Sequence, residues 1–230
     1  MSGPRGAALT EVSRVSVGEA GGSSAGNRYA GAMICVFCGA ASGRAPAYVA
    51  AARVLGKTLA RRGIGVVYGG GRVGLMGAVA DAALDAGGQV IGVIPQPLLD
   101  REIAHDGLTK LHVVDDLHQR KALMASLSDA FVSLPGGIGT MEELFEVWSW
   151  AKLGLHRKPC GVLNVDGYFD SLRTFVDEMV ADGFLEPAYR EMLLIEERPS
   201  VLLDRLAAYV PTQMWTAAEP LSEEGMKAPG

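Results

Sequence analysis

The chain is poor in the residues that mark several special architectures. It has only three cysteines, Cys35, Cys38 and Cys160, an odd number that does not form a disulfide framework and suits a reducing compartment. Its four histidines, His105, His112, His118 and His156, are scattered without a His-x-x-x-His pair, so no catalytic metal is expected. No stretch reaches 18 uninterrupted apolar residues, and no apolar core follows a basic start at the N-terminus. Neither a membrane span nor a signal peptide is therefore expected, and the protein reads as cytoplasmic. Basic blocks of five or more residues are also missing, and the net charge is −5 with a pI of about 5.4. A nucleic-acid or anionic-membrane partner is excluded on that ground, and any anion must be met locally.

Glycine, by contrast, is abundant: 30 in 230 residues, near double the average of about 7%. The glycines have no period of three, which excludes a collagen-like chain. With 49% apolar residues and a mean hydropathy of +0.20, wholesale disorder is excluded too. Residues 1–31 are small, Gly/Ser/Ala-rich and almost without large apolar side chains, so a disordered tail is expected there. Residues 213–230 have the same character and are expected to be a flexible C-terminal tail. One domain, residues 32–212, lies between them.

Short apolar, β-branched runs alternate with amphipathic stretches across this domain. The runs at 33–37, 64–68, 89–94, 111–114, 130–134, 160–163 and 192–195 are expected to be strands. Segments 46–62, 74–86, 117–127, 140–153, 168–182 and 201–208 have helical spacing. Runs apolar throughout suit strands covered on both faces. The alternation predicts an α/β fold: a Rossmann-like, open, mostly parallel sheet with helices on both faces. In such sheets ligands bind at the carboxyl ends of strands.

Several motifs follow strands. Gly69, Gly71 and Gly74 satisfy G-x-G-x-x-G, but a dinucleotide fingerprint also wants an acidic residue about 20 positions on to hold a ribose hydroxyl. Here the next strand ends Val93-Ile94-Pro95-Gln96-Pro97, which disfavours NAD. No Gly-Lys-Ser/Thr is present, so neither glycine loop is a Walker motif. Pro135-Gly136-Gly137-Ile138-Gly139-Thr140-Met141-Glu142-Glu143 is more informative. Its glycines let backbone N–H groups converge on an anion at a helix start, a phosphate cradle without a lysine. Thr140-x-x-Glu143 also fits a capping box, and spacing alone leaves Glu143 open between cap and ligand contact. Arg120 and Lys121 open a helix that Asp115 or Asp116 could cap; two cations there oppose the macrodipole, so they are either solvated surface charges or used elsewhere. Cys35-x-x-Cys38 has no second pair and falls inside a strand, which favours core cysteines. Trp148 and Trp150 could supply an interface, although helical spacing favours the core.

Gly69-Gly70-Gly71-Arg72-Val73-Gly74-Leu75-Met76-Gly77, Asp116-Leu117-His118-Gln119-Arg120-Lys121, the 135–143 loop and Leu163-Asn164-Val165-Asp166-Gly167-Tyr168-Phe169 together resemble the LOG ("lonely guy") family of cytokinin riboside 5′-monophosphate phosphoribohydrolases. The likeness runs from about residue 33 to 210, and many members carry the label "lysine decarboxylase". The resemblance implies a Rossmann-like fold and an active site built at a homodimer interface, with no cofactor. The implied reaction is hydrolysis of the N-glycosidic bond of an N6-substituted adenosine 5′-monophosphate to free base and ribose 5-phosphate, with AMP itself a further candidate. By position Arg120 and Glu143 match the catalytic pair, and Lys121 lies beside them in the substrate site. Gly136, Gly137, Ile138, Gly139 and Thr140 match the phosphate loop. Ser42, Gly43, Gly70, Gly71, Met76 and Glu102 match further substrate contacts. Ala-Ser-Gly replaces the commoner Ser-Ser-Gly at Ser42 and Gly43, and Ala104-His105-Asp106-Gly107 departs from the usual Gly-Glu-Thr-containing stretch after Glu102.

The chemistry of these residue types agrees with that reaction. Ribosyl transfer builds positive charge on the sugar, which a carboxylate stabilises while it orients water, and an always-charged arginine can stabilise the departing base. Two alternatives have other requirements. A pyridoxal-phosphate lysine decarboxylase needs a Schiff-base lysine, and of the six lysines only Lys121 lies near a phosphate site. A non-catalytic nucleotide-binding or carrier protein would use Glu143 only as a cap.

Overall fold

In the computed structural model, residues 31–99 and 104–211 are described. The expected tails and Glu102 lie outside these residues, apart from Gly31, whose N–H donates to the Gly63 carbonyl at 3.0 Å.

Seven parallel strands form one sheet: β1 (Met33–Phe37), β2 (Gly65–Tyr68), β3 (Val90–Pro95), β4 (Lys110–Val114), β5 (Ala130–Ser133), β6 (Cys160–Leu163) and β7 (Leu193–Glu196). Their order is β4-β3-β2-β1-β5-β6-β7. The chain winds outward from β1 to β4, then returns to pair β5 with the other side of β1, Val36 opposite Val132. The β1/β5 boundary is thus the topological switch point, where loops diverge and leave a crevice.

Successive side chains of a strand point to opposite faces, and β1 shows the division. Ile34 and Val36 join a core with α1 (Pro46–Arg61), α2 (Gly74–Asp85) and α8 (Pro199–Ala208). Cys35 and Phe37 join a second core with residues of α4 (Leu117–Ser126), α5 (Ile138–Lys152), α6 (Asp170–Ala181) and α7 (Pro187–Glu191). Burial on both faces is why these strands read as continuous apolar runs. Trp148 belongs to the second core, where its indole N–H donates to the Tyr189 carbonyl at 3.0 Å. Cys35, Cys38 and Cys160 are all buried and unpaired.

Most expected elements are present with shifted ends. Two short helices, α3 (Gln96–Leu99) and α7, were not expected, since four or five residues are too few to display a period. The shift with consequences is at α5. It begins at Ile138, with Gly137 as N-cap, two residues before the expected start. Thr140 therefore lies inside the helix, and the capping-box reading of Thr140 and Glu143 is corrected. Asp116 does cap α4, accepting the Gln119 N–H at 2.8 Å.

Candidate active site

The carboxyl ends of β1, β2 and β5 present three loops to one crevice. A cavity of about 360 Å³ opens at the switch point, lined by residues 39–43, Tyr48, Leu75, residues 135–137 and Tyr168. Ser42 and Gly43 line one wall, and Gly136 and Gly137 line the facing one. The two walls touch: the Gly39 N–H donates to the Pro135 carbonyl at 3.1 Å. Gly136 has no room for a side chain, because a Cβ there would overlap the Thr140 hydroxyl and approach the Gly39 nitrogen at 2.8 Å. At Gly137 and Gly139, by contrast, no atom of the described residues lies within 4 Å of where a Cβ would sit. Their glycines answer no packing demand and leave the backbone open to a ligand. Among the described residues no side chain caps α5, which leaves its first N–H groups and the positive end of its dipole facing this point, where an anion would be favoured.

One turn further along α5, Glu143 faces Arg120 of α4. Their Oε1 and Nη2 atoms are 3.9 Å apart, and the side chains are only 13% and 12% exposed. Arg120 reaches this position over the first glycine loop. A Cβ on Gly69 would overlap its guanidinium and come within 3.1 Å of the Met76 sulfur, so the absent side chain is what seats Arg120 beside Met76. The Arg120 Nε is buried without a hydrogen-bond partner among the described residues. The pair's field reaches β1: burial first, then the Glu143 carboxylate, pushes the Cys38 thiol well above its usual range, and Arg120 partly opposes this.

The neighbouring Lys121 turns to other carboxylates on α5. Its ammonium contacts Glu142 and lies 3.0 Å from Glu146, with its side chain 10% exposed. Burial disfavours its charge, but the hydrogen bonds to Glu142 and Glu146 outweigh that and hold its pKa above the usual lysine value. The two adjacent cations that the macrodipole disfavours are therefore both matched by carboxylates of the next helix.

Gly70 and Gly71 lie farther from the cavity, against the segment that follows Glu102. Gly71 bridges to Ala104, and the Gly70 carbonyl accepts the His105 N–H at 3.1 Å. His105 is buried, with Nε2 2.9 Å from Asp81 and Nδ1 accepting the Gly107 N–H at 3.1 Å. His105, Tyr48 and Tyr168 were not anticipated as parts of this region. The departure at residues 104–107 was the one signal for His105, and the 163–169 stretch of the resemblance was the one for Tyr168, whereas Tyr48 had none. Among the described residues no group of three or more His, Cys, Asp and Glu is placed to hold a metal ion.

Comparison with known proteins adds to this geometry. The family described as "Possible lysine decarboxylase" matches residues 76–206. The chain is 52% identical over 178 residues to "Probable cytokinin riboside 5'-monophosphate phosphoribohydrolase LOGL6" of Oryza sativa subsp. japonica, covering 77% of this chain and 71% of that one. It is 51% identical over 178 residues to cytokinin riboside 5'-monophosphate phosphoribohydrolase LOG7 of Arabidopsis thaliana, covering 77% and 82%. The chain belongs to the LOG family. Solved structures share the LOG-family fold at lower identity. The molybdenum cofactor carrier protein of Chlamydomonas reinhardtii superposes with a TM-score of 0.60 at 22% identity, covering 77% of this chain and 99% of that one. The molybdenum cofactor binding protein of Rippkaea orientalis gives 0.59 at 21%, covering 77% and 96%. These two likenesses concern the fold alone.

Proposed function

We propose that the chain hydrolyses the N-glycosidic bond of N6-substituted adenosine 5′-monophosphates, with AMP as the unsubstituted case. Water adds to the anomeric carbon, the carbon–nitrogen bond breaks, and the base takes up a proton. The products are free base and ribose 5-phosphate. The observation that carries this reading is the buried Arg120–Glu143 pair one helical turn from an uncapped, glycine-lined helix start. Relatives named for this reaction, about half identical in sequence, support it.

In this reading Ser42, Gly43, Gly136, Gly137, Ile138, Gly139 and Thr140 hold the phosphate. The phosphate undergoes no chemistry, but its binding fixes the anomeric carbon relative to Glu143. The Glu143 carboxylate stabilises positive charge developing on the sugar and orients the attacking water. Arg120, charged at any accessible pH, stabilises the negative charge on the departing base. Gly70, Gly71, Met76 and Glu102 complete the contacts around ribose and base. Lys121, expected beside the substrate, contributes by holding α4 against α5 through Glu142 and Glu146. That engagement disfavours the decarboxylase alternative, because a Schiff-base lysine must shed its proton and Lys121 is held protonated.

The reading also takes the working form to be a cytoplasmic homodimer with the site at the interface. Ile138 is 91% exposed, and Leu117 and Val73 are exposed as well. All three lie at helix N-termini on the strand-end side of the sheet, where a partner's surface would cover them. The unpaired, buried cysteines suit a reducing compartment.

The deciding experiment incubates the protein with isopentenyladenosine 5′-monophosphate and with the unphosphorylated riboside. Base is expected from the monophosphate only. No base from the monophosphate, or equal turnover of the riboside, contradicts the reading.

A further inference from the structure

The turn after β6 is built with more care than a surface connection needs. Asn164 is buried; its side-chain oxygen accepts the Phe169 N–H at 2.7 Å and its amide donates to Asp170 at 2.8 Å. Asp166, at φ 49°, is the one non-glycine residue with positive φ among the described residues. The turn delivers Tyr168, whose hydroxyl donates to the Gly136 carbonyl at 2.5 Å, 32 residues back along the chain. The Tyr168 ring also meets Tyr48 edge-on, with centroids 5.5 Å apart, and Tyr48 packs beneath Gly43, which has positive φ and no Cβ to obstruct the ring. One aromatic pair thus spans both walls of the cavity, touching Gly43 on one side and Gly136 on the other.

We infer that Tyr168 is a positioning residue for the phosphate loop, acting through the Gly136 carbonyl with Tyr48 as its buttress. In a trans peptide the carbonyl of one residue and the N–H of the next are locked in opposite directions. Holding the Gly136 oxygen therefore fixes the direction of the Gly137 N–H, which leads the row of amides at the α5 N-terminus. Without the hydroxyl the 136–137 peptide is free to rotate, and a phosphate must order it on binding. The ligand class is a sugar 5-phosphate, and the inference rests on the hydrolase reading only for the rate it predicts.

The test is Tyr168→Phe, which keeps the ring and its contact with Tyr48 and removes the hydroxyl alone. Ribose 5-phosphate binding, followed by titration calorimetry, is expected to weaken about fivefold, the scale of one lost hydrogen bond. KM for the nucleoside monophosphate should rise by the same factor, with kcat within about twofold and the melting temperature lower by only a few degrees, the scale of that one hydrogen bond. Unchanged affinity for ribose 5-phosphate overturns the inference, as does a loss confined to kcat. If the wild type binds ribose 5-phosphate but releases no base, the hydrolase reading fails while the binding comparison still decides the role of Tyr168. A wild type that does not bind ribose 5-phosphate overturns the inference about Tyr168, and base release from the monophosphate still decides the hydrolase reading.

Discussion

Arg120 and Glu143 face each other across 3.9 Å from two different helices, largely buried, and too far apart for a direct hydrogen bond. In the proposed reaction these two charges flank the reacting bond, Glu143 facing the sugar and Arg120 the base.

The seat of Arg120 over Gly69 makes that glycine a sensitive position. Gly69→Ala places a methyl where the guanidinium lies, and the flexible arginine must move while the backbone stays. Turnover is expected to fall about 10- to 100-fold, the cost of misplacing a reacting group by about 1 Å. The melting temperature should change little. Steady-state kinetics beside a thermal melt checks both, and an unchanged kcat would show that Arg120 need not occupy this seat.

Lys121 links α4 to α5, so its loss should register in stability. Lys121→Met leaves the Glu142 and Glu146 carboxylates without their cation, at a cost of about 1–3 kcal/mol given that both remain partly exposed. Because the folded pKa lies above the ordinary lysine value, the linkage is fully present below about pH 10 and is lost as pH rises through the folded pKa. Denaturant melts of wild type and variant should therefore differ at pH 7 and converge in alkali. A gap independent of pH would contradict the ion-pair account.

Cysteine reactivity gives a third check. Burial raises all three thiols well above their usual range, Cys160 to about 12, so thiolate is scarce at neutral pH. A thiol-specific reagent is expected to label none of the three in the native protein and all three in denaturant. Fast native labelling of Cys38, at the mouth of β1, would show that the strand end opens.

Much of the fold was legible because parallel strands buried on both faces carry their signal locally. The run at 33–37 became β1 with the same ends, and the helical spacing from Pro46 became α1. The start of α5 was less legible, since Gly137 caps with its backbone conformation and offers no side chain to read. At the site, Arg120 and Glu143 stood out as candidates by residue type and position, and the fold brings them face to face. The contacts of Lys121 were not legible, because Glu142 and Glu146 are available to it only once α4 and α5 pack. The Tyr168 hydroxyl meets Gly136 across two strands, a relationship that no local pattern encodes.

In the proposed reaction Glu143 acts on the glycosidic bond, and its own substitution tests this most directly. Glu143→Gln keeps the size of the side chain and removes its charge. With isopentenyladenosine 5′-monophosphate as substrate, release of free base should fall about 1,000-fold, the scale of losing a group that stabilises charge in the transition state, while ribose 5-phosphate binds within about twofold of wild type. Retained turnover in Glu143→Gln would contradict that role for Glu143.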